Sequence, residues 1–125
     1  MKYLIHTSRI LLGLMFAVFG SNAFLHFIPM PPLPPGDAGA FIGALFHSGY
    51  IYAIGGLQVL GGLCLLAGSR FVALGLMLLG PIIVNIVLFH VFIDHMFNPI
   101  ALVVAVLALF LLWVYRYKFP ALFEI

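Results

Sequence analysis

Four apolar stretches, each about long enough to cross a bilayer, take up nearly all of this 125-residue chain. They run over about residues 7–28, 49–67, 71–93 and 98–117. Backbone inside hydrocarbon must satisfy its own hydrogen bonds, so uninterrupted runs of this length fold as helices. The expected fold class is all-α integral membrane, a four-helix transmembrane bundle forming one domain over residues 1–125. With 6% of residues charged, 66% hydrophobic and a mean hydropathy of +1.30, a soluble domain of this size is excluded.

The few charges carry a direction. Lys2 and Arg9 accompany the start of the first stretch, Arg70 lies between the second and third, and Arg116 and Lys118 follow the fourth. Asp37 and Asp94, with His47 and His95, fall in the two remaining connections. Lys and Arg accumulate in short cytoplasmic loops, so both termini are expected on the cytoplasmic side of the cell (inner) membrane. The first stretch has the basic start of a signal peptide, but it lacks an A-x-A site and stays apolar through Ile28. It is expected to be retained, which keeps the number of crossings even. A net charge of +2 supplies no patch dense enough for nucleic acid. Cys64 is alone, so no disulfide or thiolate cluster forms within one chain.

The connections have characters of their own. Residues 29–36 form a proline-rich strap, PMPPLPPG, extended because Pro29, Pro31, Pro32, Pro34 and Pro35 lack N–H donors. Residues 37–48 are apolar but too short to cross. They predict a short interfacial or re-entrant helix in the first outer loop, with Asp37 as its N-cap. Asn98-Pro99 opens the fourth segment, where a missing N–H costs nothing. Pro81, midway along the third, predicts a kink, static or hinged. Trp113, Tyr115 and Tyr117 read as an aromatic belt. Gly13 and Ala17, and Ala101 and Ala105, lie four apart, while Gly13 and Gly20, and Gly55 and Gly62, lie seven apart. Small residues at such spacing let helices approach closely, within this chain or in a homo-oligomer.

Polar side chains inside apolar segments are costly, and they mark candidate sites. Asn22 and His26 share a face of the first segment, Gln58 sits near the middle of the second, and the third holds Asn85, His90 and Asp94. His90 and Asp94, four apart, share a face; Asn85 points about 140° away from His90 unless the kink resets the phase. At ~1.5 Å per residue, His26 stands about 25 Å beyond Arg9 and His90 about 30 Å beyond Arg70, so both approach the outer boundary. Together with His47 and His95, this predicts a polar cluster under the strap.

Several readings of the cluster stand. The side chains could simply cap helix ends and bond one another and water. They could line a pocket for a small amphipathic ligand such as a quinone, with imidazole and carboxylate meeting its head and the aromatic bundle holding its tail. Histidines from different helices could also ligate haem or a metal ion. No closely spaced motif such as HxxxH occurs, so the residues argue less for that third reading, and no metal ligand is assigned. A transporter is disfavoured because the chain shows neither repeated halves nor a continuous polar stripe.

The segments RILLGLMFAVFGSNAFLHFIPMPPLPPG, AGAFIGALFHSGY and GLQVLGGLCLLAGSRFVALGLMLLGPIIVNIVLFHVFID carry a resemblance over nearly the whole length. In them the chain resembles the DoxX-like family of membrane proteins. The shared parts are the asparagine and histidine of the first segment, the proline strap, a G-x-Q/E-V-x-G-G pattern and a PIIVNIxLFH run. They fall here on Asn22, His26, Gln58, Pro81, Asn85 and His90. The resemblance implies a small four-helix protein. It further implies an association with quinone-linked redox chemistry, since the family takes its name from a subunit associated with terminal quinol oxidase and thiosulfate:quinone oxidoreductase activity. Many relatives carry an acidic residue where Gln58 stands, and a neutral amide cannot exchange a proton as a carboxylate does.

Two functional expectations follow. One is an accessory component of membrane redox chemistry. It would bind a quinone-like ligand through His26, His90 and Asp94, with Asn22, Gln58 and Asn85 deeper. The other is a scaffold or assembly factor that engages a membrane-protein partner and has no ligand chemistry of its own.

Overall fold

The computed structural model describes residues 1–26, 32–95 and 98–120, with the side chain of Asp94 left undescribed. All regular structure among them is helical: α1 (Lys2–Leu25), α2 (Gly36–Ser48), α3 (Tyr50–Ala67), α4 (Val72–Leu88) and α5 (Pro99–Val114). A 3-10 turn, Ser69–Phe71, leads into α4; a π turn, Phe89–Asp94, prolongs it. Three of these helical stretches are long and apolar enough to cross a membrane: Lys2–Leu25, Tyr50–Ala67 and Ser69–Ile93. At 16 residues, α5 is shorter. Lengths and composition fit a helical membrane protein.

Element boundaries follow local chemistry, with some departures from expectation. Helix α1 starts at Lys2 rather than near residue 7 and stops at Leu25, where His26 takes the left-handed conformation with φ 53°. Residues 27–31, including the start of the strap, lie outside the described residues. Pro32 to Pro34 are exposed and non-helical, and Pro35 is extended at φ −73°, ψ 165°. Pro35, not Asp37, holds the N-cap position of α2; Asp37 sits in the first helical turn, where its charge meets the positive end of the dipole. Asn98 caps α5 by accepting from the Ile100 and Ala101 amides at 2.9 and 3.2 Å. Pro81 stands inside α4, which runs unbroken in α winding to Leu88, and the winding changes only at the π turn.

Helix α1 packs along α3, α3 along α4, α4 along α5, and α5 returns to α1; α2 lies against α3 and the π turn. One fully buried leucine from each of the four longer helices marks the centre: Leu12, Leu65, Leu79 and Leu111. Glycine sets the closest seam. A Cβ built at Gly62 would lie 2.7 Å from both the Ala17 nitrogen and the Gly13 carbonyl oxygen, and one at Gly20 would lie 2.7 Å from the Gly55 oxygen. Gly13 thus faces Gly62 and Gly20 faces Gly55, an antiparallel register that repeats every seven residues. The chain itself occupies these faces.

All five basic residues sit at one end. The Arg9 guanidinium reaches the last turn of α3, and Ser69 shares a 3.1 Å hydrogen bond with Tyr115 at the end of α5. The start of α1, the α3–α4 turn and the end of α5 therefore meet, and Lys2, Arg9, Arg70, Arg116 and Lys118 meet with them. Helix α2 and the π turn, which carry Asp37, His47, His90 and Asp94, lie at the opposite end.

Candidate functional site

At that opposite end, α2 lies beside the seam between α3 and α4 without filling it. The result is a groove of about 760 Å³. Helix α2 contributes Phe41, Ile42, Leu45 and Ser48; α3 contributes Tyr50, Ile54, Leu57 and Gln58; α4 and the π turn contribute Pro81, Ile82, Asn85, Phe89 and His90. Phe41 and Phe89 close ring to ring at 5.3 Å, which ties α2 to the π turn. The size and the apolar lining with a few polar groups are those of small-molecule sites.

The polar groups differ in what they have left to offer. Ser48 Oγ donates to the Ala44 carbonyl at 2.7 Å and accepts from the Tyr50 amide at 3.2 Å, so its hydroxyl is committed to the α2–α3 corner. Asn85 Nδ2 donates to the Pro81 carbonyl at 2.9 Å, leaving Oδ1 without a partner among the described residues. Gln58, half-buried at the midpoint of α3, makes no side-chain hydrogen bond among them. Its stem lies against α1, where a Cβ at Gly20 would come within 2.8 Å of the Gln58 Cβ. His90 is half-buried, meets the Phe89 ring edge-on at 5.3 Å, and lines both this groove and a second one. The second groove, about 440 Å³, runs between the π turn and α5 and includes His95 and Asn98.

Of the six residues singled out from the sequence, Gln58, Asn85 and His90 come together in the groove. Asn22 is half-buried in the last turn of α1, where its carbonyl accepts from the His26 amide at 3.0 Å, and it is not among the groove walls. His26 is exposed at the C-cap of α1 and does not line the groove either. Asp94 belongs to the π turn, next to the groove in sequence. Ideal α winding would have set Asn85 and His90 on different faces. Both nonetheless line the groove, Asn85 from the α-wound part of α4 and His90 from the π turn that prolongs it.

Sequence reasoning overlooked one residue of consequence. Arg9 is buried, and its Nη1 donates to the Leu65 carbonyl and, at 3.3 Å, to the Leu66 carbonyl. Both acceptors belong to the last turn of α3, whose carbonyls have no helical partner and carry the negative end of the dipole. A signal existed: Arg9, Gly13, Phe16 and Gly20 lie at positions i, i+4, i+7 and i+11, one face of α1, and that face is the α3 contact. His6 Nδ1 and Arg9 Nε are buried near this clasp without partners among the described residues. No family model, curated protein or solved structure matches this chain.

Proposed function

We propose that the protein is a four-span, DoxX-type protein of the cell membrane with both termini cytoplasmic. In this reading it binds a quinone-like, lipid-soluble ligand beneath α2 as an accessory component of membrane redox chemistry. The carrying observation is Gln58: a carboxamide midway along an apolar helix, without a partner among the described residues, on the wall of an apolar groove. An amide in such surroundings costs several kcal/mol (about 2–7) unless something bonds to it. A quinone carbonyl would accept from Gln58 Nε2, a quinol hydroxyl would donate to Asn85 Oδ1, and Phe41 and Phe89 offer ring faces for the head. His90 stands at the end of the groove nearest the headgroups. The one-sided distribution of Lys and Arg supports the orientation. Haem or a metal ion fits less well, because His90 is the single histidine on the groove wall.

Titration of the purified protein in detergent with a short-tailed quinone tests this reading. Gln58→Leu and His90→Ala should each weaken binding about tenfold, the worth of one hydrogen bond. His26→Ala, outside the groove, should leave binding unchanged. Equal binding by wild type, Gln58→Leu and His90→Ala removes the proposal. A scaffold or assembly factor is the second reading, favoured by the open faces at Gly56 and Gly80, where an added Cβ would meet nothing within 4 Å. A stoichiometric membrane-protein partner that co-purifies, with no ligand density in the groove, would select it.

A further inference from the structure

The basic end has a feature that neither the groove nor the Arg9 clasp uses. Ser69 and Tyr115 join the α3–α4 turn to the end of α5, and the next residue on each side is an arginine, Arg70 and Arg116. Both are exposed, and both are held by their surroundings. The Arg116 guanidinium lies 4.7 Å from the Trp113 ring centre and 4.3 Å from that of Tyr117, and it donates to the Trp113 carbonyl and, at 2.7 Å, to the Tyr117 hydroxyl. Arg70 lies over Phe71 at 5.6 Å. Neither meets a carboxylate among the described residues, since Asp37 and Asp94 belong to elements at the other end. Two guanidiniums fixed without counter-ions among the described residues, at the boundary of an apolar body, suit a phosphate group.

Beneath them the α4–α5 seam is open. An apolar slot of about 380 Å³ runs between Leu76, Gly80 and Leu88 on α4 and Ala105, Ala108 and Leu112 on α5. Arg116 follows the last residue of α5 by two, in the 3-10 turn Arg116–Lys118, so the charge stands just past the end of the helix that forms one wall of the slot. The near end of the slot, at Leu76 and Leu112, is six residues from Arg70 and four from Arg116, on the order of 6–9 Å. Gly80 supplies width, with nothing within 4 Å of its would-be Cβ.

We propose that this seam binds one anionic phospholipid from the leaflet facing the basic end, with its phosphate on Arg70 and Arg116 and an acyl chain in the slot. The proposal needs only that the chain resides in a membrane, and it stands apart from the quinone reading.

Native mass spectrometry of protein released from nanodiscs of equal phosphatidylglycerol and phosphatidylcholine tests it. Wild type should retain one phosphatidylglycerol in preference. Arg70→Gln with Arg116→Gln should lower retention by tenfold or more, at roughly fivefold per arginine. Ala108→Phe, which fills the slot, should lower it with both arginines intact, and Lys2→Gln should leave it unchanged. Soluble glycerol phosphate should not compete. Equal retention of the two lipids, an equal loss in Lys2→Gln, or competition by glycerol phosphate would overturn the proposal. Melting temperatures check that each variant folds, and if Ala108→Phe does not, the two exposed arginines decide.

Discussion

The α1–α3 seam and the α4–α5 seam are built from similar small residues and end differently. In the first, Gly13 faces Gly62 and Gly20 faces Gly55, and backbone meets backbone closely enough that a single methyl would collide with main-chain atoms. In the second, Gly80, Ala101, Ala105 and Ala108 line voids. In a membrane no hydrophobic gain distinguishes protein from lipid as a neighbour, so contact has to come from shape. Small residues close a seam only when they pair across it in register. Where they do not pair, they leave room for something else, and that room is where the proposed phospholipid falls.

Gly62→Ala strikes the closed seam hardest. Its Cβ would sit 2.7 Å from backbone atoms that cannot swing aside, so α1 and α3 must separate. A loss of about 3 kcal/mol is expected, read as a large drop in thermal midpoint in detergent. Arg9→Met should cost less, about 2 kcal/mol, because the thioether fills space but leaves the Leu65 and Leu66 carbonyls without their donor. An unchanged midpoint would mean that water caps α3 equally well. Gly80→Ala is the smallest change and has the opposite sign: with open space around it, the substitution should be neutral or stabilise by up to ~1 kcal/mol. If it destabilised as Gly62→Ala does, the contrast between the seams would fail.

The helices were largely legible because hydrophobic length is a coarse signal. Residues 49–67 predicted α3 to within a residue of Tyr50–Ala67, and Asn98-Pro99 announced the start of α5 through cap chemistry. The candidate site was legible in part. Gln58 and Asn85 were findable as polar groups in apolar runs, but their direction around the helix was not. That direction depends on which helices pack together; the groove's histidine, His90, stands in a π turn at Phe89–Asp94, which no proline or glycine flags, whereas the flagged Pro81 leaves the α winding continuous. His26 was expected to join His90 by depth alone. Depth follows from counting residues, while shared walls depend on which helices touch, and α2 lies against α3 and the π turn. Arg9 was read for its charge, when its position on the glycine face of α1 already gave it a partner.

That pairing bears on how the protein is made. Arg9 and the carbonyl that receives it are 56 residues apart in the chain. At ribosomal speeds of roughly 5–20 residues per second, the acceptor is synthesised about three to eleven seconds after the donor. Through that interval the guanidinium has no α3 carbonyl to receive it, so this clasp can close only once α3 is complete.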